Sequence, residues 1–347
     1  MTSILEHKVR ADKIMEEYGI DLSARYTDLK LRTPIVLAPG QLSRFTSQIE
    51  RAARAGYGAI VLKSVVGEDR DGNASVKFLR RKPTFMRWYI DKRLDPEGRN
   101  PTIHWNGGFD TRNLKEHLRF AKEAYEFGRR VEIPIIASIL CHLVSSSEEE
   151  FKVEEWEYTT KMLCEIGYRH FEVDFTPFLK GEDKISDKET VLRWYREVPK
   201  IMREGPYEIK IVPKIMNLDF GIDYQVEMVK AAKEGGCDGV TIANRFFRWF
   251  KDETTGEEYS SPHGGAELRM INQEQIREVR RRGIEIPINA TGGVYTGSDV
   301  AEYLSLGAQN VQVLTYVLKK GFENAINNLL FNPEEGLIHY LKLARNG

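Results

Sequence analysis

Two lysines sit at the ends of apolar runs, Lys63 after Ala59–Leu62 and Lys214 within Ile209–Ile215, and a double glycine, Gly292–Gly293, follows a third run, Ile286–Ala290. An ammonium is costly to bury unless a counter-charge meets it. Each lysine alone therefore reads as one that reaches solvent or pairs with a carboxylate such as Glu172 or Asp174. After the double glycine a helical pattern begins near Thr296–Gly297, and a further run, Val311–Leu314, ends at Thr315. Two such strand-to-helix turns would set backbone N–H groups side by side, as a phosphate requires, although a double glycine also serves a plain tight turn. Two cations around a phosphate turn suit an anionic cofactor. Either lysine could instead act as a base or Schiff-base nucleophile on a phosphorylated substrate.

What must position these residues is a repeating alternation. Apolar runs centred near residues 36, 60, 136, 172, 212, 241, 288 and 312 are each followed by a helical pattern. That count predicts an α/β fold, a closed (β/α)8 TIM barrel with long insertions at its C-terminal face, rather than an open doubly wound sheet. Chemistry in such a barrel is carried at the C-terminal strand ends, here Gly40, Lys63, Ser138–His142, Asp174, Thr176, Lys214, Asn244, Gly292–Gly293 and Thr315. The helices are expected over Thr46–Ala55, Thr111–Arg129, Glu154–Ile166, Lys188–Glu204, Tyr224–Glu234 and Asn272–Arg282, with Gly307 capping the one after the double glycine. Residues 1–25 read as an N-terminal helical extension, with a helix over Ile4–Tyr18 stopped by Gly19, and 26–347 as one barrel domain entered by a short strand at Tyr26–Thr33. Two excursions break the rhythm. Val65–Phe109 carries Trp88, Tyr89, Trp105 and Phe109 and reads as an ordered cover; Asn244–Leu268 carries an aromatic cluster at Phe246–Phe250.

The 51 Lys and Arg against 52 Asp and Glu leave a formal net charge of −1, which gives no general attraction to nucleic acid or membrane. The basic segment Arg277–Arg282 reads as a helix end favourable to its dipole. Three scattered cysteines, Cys141, Cys164 and Cys237, make neither a disulfide framework nor a cysteine metal site, and read as reduced thiols of a cytoplasmic protein. His142 beside Cys141 reads as a satisfied histidine next to a packed thiol, and no metal-ligand spacing is evident. Charges interrupt every apolar run of the N-terminus, so neither a signal peptide nor a spanning helix is expected.

From about Tyr26 to Gly321 the sequence resembles the dihydroorotate dehydrogenase family of FMN-binding (β/α)8 barrels. The resemblance rests on APG at Ala38–Gly40, AIVLKS at Ala59–Ser64, NGGFD at Asn106–Asp110, PKI at Pro213–Ile215, TIAN at Thr241–Asn244, HGG at His263–Gly265 and the block TGGVYTGSDVAEYLSLGAQNVQVLT. It implies non-covalent FMN, with Ala38 and Gly40 against the isoalloxazine, Lys63 and Ser64 at its polar edge, and Lys214 near N1 and the C2 carbonyl. Ser138, Asp174 and Asn244 would line the flavin pocket, and Gly265, Gly292, Gly293 and Thr315 would hold the ribityl phosphate. Asn100 matches a substrate-binding asparagine of the family, and Asn106 and His104 join it as substrate contacts.

The departures from the family concern the substrate. Asp174 stands where the family has asparagine. The following loop, in EVDFTPF, lacks the family's Ser or Cys base and has Phe178 where an asparagine should follow. Thr176 is the nearby hydroxyl, so the candidate catalytic residues are Lys63, Asn100 and Thr176. Ile103 replaces a glycine that helps hold the substrate carboxylate, and Leu314 replaces a phosphate-loop glycine. The resemblance thus implies an FMN-dependent oxidoreductase moving hydride between flavin N5 and a small cyclic polar substrate other than dihydroorotate, with an unnamed electron partner and a homodimer as one assembly. The alternatives are a dihydroorotate dehydrogenase using Thr176, a barrel lyase or isomerase, and a flavin-binding subunit without catalysis.

Overall fold

The computed structural model describes residues 2–81, 85–89, 100–106, 109–175, 187–251, 256 and 258–346. Eight parallel strands close on themselves: β1 (Ile35–Leu37), β2 (Ala59–Val61), β3 (Ile135–Leu140), β4 (His170–Asp174), β5 (Lys210–Lys214), β6 (Val240–Ile242), β7 (Ile288–Thr291) and β8 (Asn310–Val313). The expected (β/α)8 barrel is the fold. Closure runs through β8 beside β1, Val311 opposite Ile35, and through β2 beside β3, Ile60 opposite Ile135.

The helices that follow the strands are α1 (Thr46–Ala55), α2 (Leu114–Val131), α3 (Val153–Ile166), α4 (Lys188–Met202), α5 (Ile222–Glu234), α6 (Ala266–Arg281), α7 (Gly297–Ser305) and α8 (Thr315–Lys320). Their boundaries follow local chemistry. Asn113 caps α2 by accepting from the Glu116 N–H at 2.9 Å, so that helix begins after Thr111 rather than on it. Thr296 and Asp299 form a capping box on α7, which ends at Leu306 with Gly307 left-handed behind it. α6 starts at Ala266, six residues before the expected Asn272, because Gly264–Gly265 end a strand and the helix follows them directly.

Strand alternation divides the core in two. Odd-numbered residues of β1, such as Ile35 and Leu37, face the helices, whereas Val36 joins Ala59, Val61, Ile136 and Val212 inside the barrel. The lower end of that interior is plugged by Tyr26 and Leu31, both fully buried. They belong to an antiparallel hairpin, Ala24–Tyr26 with Leu29–Leu31, where one strand over Tyr26–Thr33 was expected; Thr27 turns the chain at φ 53°. A helix over Thr2–Tyr18 precedes it and buries Ile14 in the outer core.

The two excursions meet in a single four-stranded antiparallel sheet, ordered Phe246–Lys251, Glu258–Gly265, Thr102–Asn106, Phe85–Tyr89. Phe109 is buried, but Trp88 stands 40% exposed and is not part of the packing expected of it. Among the described residues no helix is long and apolar enough to cross a membrane.

Candidate active site

A cleft opens at the C-terminal ends of the strands, between the barrel and the cap sheet. Ala38 and Gly40 after β1, Lys63 after β2, Asp174 and Lys214 at the tips of β4 and β5, and Asn244 after β6 all line it. Gly265, Gly292, Gly293 and Thr315 complete the opposite wall. Ser64 and Ser138 stand behind this lining, fully buried, and reach it through hydrogen bonds.

The floor is polar because alternation sends even-numbered residues of β4, β5 and β8 inward. Glu172 is wholly buried and accepts from Lys214 Nζ at 3.4 Å, Thr241 Oγ1 at 2.9 Å and Gln312 Nε2 at 2.6 Å. Lys214 is thereby held at the tip of β5 with its charge matched from below, the pairing that each lysine alone suggested. A buried charge pair of this kind depends on both members, since removing one leaves the other unsolvated.

One layer higher, Asp174 accepts from Ser64 Oγ and from Asn244 Nδ2, each at 3.0 Å, and Ser64 shares a 2.9 Å hydrogen bond with Ser138. This network joins the ends of β2, β3, β4 and β6. Lys63 is buried beneath the Phe109 ring, with Nζ 5.4 Å from its centroid. Burial pushes Lys63 down to about 8, assisted by the positive charges of Arg245 and Lys214 and opposed by Asp174 and Asp110. At neutral pH it keeps its charge. The segment carrying Phe109 is anchored by Asp110, which is fully buried and bound by Arg112 at 2.6 Å and by His117 Nδ1 at 3.0 Å.

The wall at β7 and β8 is made chiefly of backbone. Gly265, Gly292 and Gly293 have φ of 120°, 99° and 68°, conformations that side chains disfavour. The Thr291 carbonyl accepts from Asn272 Nδ2 at 2.7 Å and the Gly292 carbonyl from the Tyr303 hydroxyl at 2.8 Å. Asn272 also accepts from Asn217 Nδ2 at 3.0 Å, and Asn217 donates to the Asn244 carbonyl at 2.6 Å. The turn and the end of β6 are therefore braced together, a link without a local sequence signal. Tyr295 donates to the Pro101 carbonyl and ties the turn to the cap sheet.

Ile103 and the expected substrate contacts fare differently. Ile103 lines the cleft, and Gly264, its register partner, does so beside it. Alternation then places His104 on the other face of that sheet, where it is buried 6.3 Å from the His263 ring. Burial, and the neighbouring His263, push His104 down to about 4. His104 is thus not among the residues lining the cleft, and neither is Asn100, which is half-buried just before Pro101. Asn106 ends the same cap strand. Thr176 and Phe178 lie outside the described residues. At the end of β3, Cys141 is packed and His142 pairs with Glu148 at 3.1 Å, so that position is structurally satisfied. Among the charged residues described as lining the cleft, Arg245, directly after Asn244, was not anticipated. The TIAN motif ends at Asn244, and nothing local marks the residue after it.

The donor set suits a flavin mononucleotide: a glycine-built turn for a phosphate, two fixed ammonium groups and an amide for a polar ring edge, and Ala38 and Leu314 as apolar surface. A Cβ built on Gly264 would stand in ordinary contact with Arg245 Cγ at 3.5 Å and Thr315 Oγ1 at 3.7 Å, which places both beside this strand of the cap. Leu314 packs over Gly40, where a Cβ would run into it.

A model of the family described as dihydroorotate dehydrogenase matches residues 21–328. Over 321 residues the chain is 26% identical to dihydroorotate dehydrogenase B (NAD(+)), catalytic subunit, of Methanothermobacter thermautotrophicus, covering 87% of this chain and 89% of the relative. It is 25% identical over 340 residues to the NAD-dependent dihydropyrimidine dehydrogenase subunit PreA of Escherichia coli (strain K12), covering 92% and 73%. A 22% identity over 328 residues relates it to the chloroplastic dihydropyrimidine dehydrogenase (NADP(+)) of Arabidopsis thaliana, covering 87% and 70%. Matched over most of its length and carrying its charged cleft on the corresponding barrel, the chain belongs to the dihydroorotate dehydrogenase family.

Proposed function

We propose that the protein is an FMN-dependent oxidoreductase acting on a CH–CH bond of a small cyclic polar substrate, and that dihydroorotate is not its preferred substrate. The observation that carries this reading is the convergence of Lys63, Lys214 and Asn244 with the Gly292–Gly293 turn in one cleft. FMN, when bound, supplies a two-electron acceptor for the hydride that leaves the substrate. The chain does the rest. Gly265, Gly292, Gly293 and Thr315 hold the phosphate, and Lys63 and Lys214 place fixed positive charge where negative charge grows on reduction.

Oxidation also releases a proton from the carbon next to the one that gives up hydride, and a base must take it within about 3 Å. The segment EVDFTPF offers neither Ser nor Cys for that role, and Thr176 is a poor base unaided. Ile103 fills the cap-side wall with an alkyl group where a close backbone approach would otherwise serve a ligand. These two features support a substrate other than dihydroorotate. A homodimer is one assembly open to it, and the composition suits a cytoplasmic protein.

The test is a visible spectrum of the purified protein, identification of the released cofactor, and anaerobic mixing with dihydroorotate and other dihydro-ring compounds. A yellow protein with one FMN per chain, bleached slowly or not at all by dihydroorotate, is expected. A protein that stays colourless after refolding with excess FMN would rule out the cofactor and favour a lyase or isomerase, for which the lowered basicity of Lys63 is suited. Rapid bleaching by dihydroorotate, abolished in Thr176→Ala, would show that the parent reaction is intact.

A further inference from the structure

We propose that Asp110 and His117 are positioning residues for Lys63: they hold the Phe109 ring as a roof that keeps water from the ammonium, so that the cleft receives a weakly hydrated and strongly acting charge. The use of that charge on a flavin rests on the reading above. Phe109 is 5% exposed and Lys63 8%, with Nζ 5.4 Å from the ring centroid. A ring at that range offers the cation its π face where water would otherwise stand.

An apolar segment needs no ions to pack, yet Asp110, the residue after Phe109, is fully buried among donors. Arg112 Nε lies 2.9 Å from Oδ1, Arg112 Nη2 2.6 Å from Oδ2, and His117 Nδ1 3.0 Å from Oδ2. Burial opposes the charge of Asp110, but the bonds from His117 and Arg112 prevail and hold its carboxyl well below the usual range. Burial pushes His117 down, so the imidazole is neutral and carries its proton on Nδ1, toward the carboxylate. Its Nε2 is buried without a hydrogen-bond partner among the described residues, so the contacts end at the imidazole, as in an anchor.

Roof and ammonium are fixed to one helix. His117 lies in the first turn of α2, and the Arg112 guanidinium stands 4.2 Å over the Phe120 ring of the same helix. The segment that carries Lys63 runs on to Glu68, which accepts from the Leu114 N–H at the start of α2 at 3.2 Å and pairs with Arg80 at 2.6 Å. Two separate anchors on α2 therefore set the ring above the ammonium. Because a buried ion pair contributes little net stability, the use of these pairs is geometric. Among the groups that act on Lys63, burial is the largest in lowering it to about 8; Asp174 and Asp110 oppose it, and Arg245 and Lys214 add to it. Admission of water is thus the change that would move it upward most.

The experiment is competitive acetylation of the purified full chain with acetic anhydride from about pH 6 to about pH 10, read by peptide mass spectrometry. At each lysine the midpoint of the rate profile follows basicity and the plateau follows access. Lys63 is expected to show a midpoint near 8 and a low plateau. Phe109→Ala should raise the plateau about tenfold and the midpoint by about one unit or more, toward a hydrated lysine. His117→Leu removes the donor without changing charge and should raise the plateau about threefold or more. In His117→Asn the amide N–H takes the place of Nδ1–H, and the plateau should return to within about twofold of the unaltered protein. Lys214, equally buried but paired with Glu172, is the control and should not change. Unchanged Lys63 labelling in Phe109→Ala, equal labelling in the two His117 variants, or a rise at Lys214 as large as at Lys63, which would mean general loosening, overturns the proposal. With FMN bound, Phe109→Ala should also lower the flavin midpoint potential at pH 7, where Lys63 is charged in both proteins, and an unchanged potential would overturn the use of the charge. A protein that takes up no FMN refutes the cofactor reading instead, and the labelling, which needs no flavin, still decides the roof.

Discussion

The wall of the cleft after β7 and β8 and the wall after β4, β5 and β6 are built from different atoms. The first relies on backbone: Gly292 and Gly293 adopt positive φ, and the carbonyls of Thr291 and Gly292 are held from behind by Asn272 and Tyr303. The second relies on side chains, with Asp174, Lys214, Asn244 and Arg245 reaching in from strand ends. A backbone cradle tolerates change around it, because its donors belong to no residue type in particular. A side-chain wall changes its ligand with every substitution. The family likeness is accordingly continuous through the glycine turn, whereas Arg245, Asp174 and Ile103 give the other wall its own charge and shape.

The strongest way to break the comparison is at Gly293. A Cβ there would not enter the cleft: it would stand 2.6 Å from Arg269 Cβ and 2.8 Å from Arg269 N, at the start of α6. The expected loss thus comes through strain and displacement of the turn, not through a side chain blocking the phosphate directly. Gly293→Val should weaken FMN retention by about a hundredfold or more, the left-handed φ alone costing roughly 1–2 kcal/mol. Gly283→Ala is the control, since Gly283 has nearly the same φ of 67° with nothing within 4 Å of the added carbon. It should cost about 1 kcal/mol of stability and leave FMN binding intact. Equal flavin loss in both would mean that the turn has no special part, and gel filtration with absorbance at the flavin band reads the difference.

The side-chain wall can be broken from below. Lys214→Met leaves Glu172 fully buried without its cation, and should destabilise the fold by about 3 kcal/mol in urea unfolding. Adding Glu172→Gln should recover more than half of that, because Thr241 and Gln312 remain to donate to the amide oxygen. The flavin role is separable: single and double variants should both lower the flavin midpoint potential, the cation being absent in each. Recovery of stability together with an unchanged potential would leave Lys214 as a structural ion only.

How far the molecule could be read from its sequence follows the range of the interactions. All eight strands were visible because each is an apolar run bounded by turn residues, and period-two alternation then pairs Glu172 with Lys214 inside the barrel. The hairpin at Ala24–Leu31 was read as one strand, since nothing local marks Thr27 as left-handed. The cap sheet was invisible for a different reason. Its central pairing joins residues 102–104 to 263–265, far apart in the chain, and its longest strand, Glu258–Gly265, contains a proline and two glycines. Without that sheet, His104 reads as a substrate contact and Ile103 as a lost one; with it, alternation sends Ile103 into the cleft and His104 behind it.

The smallest expected effect is the most informative about the side-chain wall. Asp174→Asn removes the one carboxylate among the described residues lining the cleft and preserves its shape. The hydrogen bonds can also survive: the amide oxygen accepts from Asn244, the amide nitrogen donates to Ser64, and the Ser64 hydroxyl turns to donate to Ser138. What changes is charge. With Asp174 gone, negative charge on reduced flavin meets less repulsion, and the midpoint potential should rise by about 30 mV, or about 1.4 kcal/mol for a two-electron couple. A second consequence opposes it at higher pH. Asp174 holds Lys63 up against burial, so in the variant Lys63 falls below about 8 and loses its charge sooner as pH rises. The rise in potential should therefore be largest near pH 6.5, where Lys63 is still protonated, and shrink toward pH 8.5. Potentiometric titration of both proteins at the two pH values measures this, and a variant whose potential falls, or shifts equally at both, would take Asp174 out of electrostatic contact with the flavin.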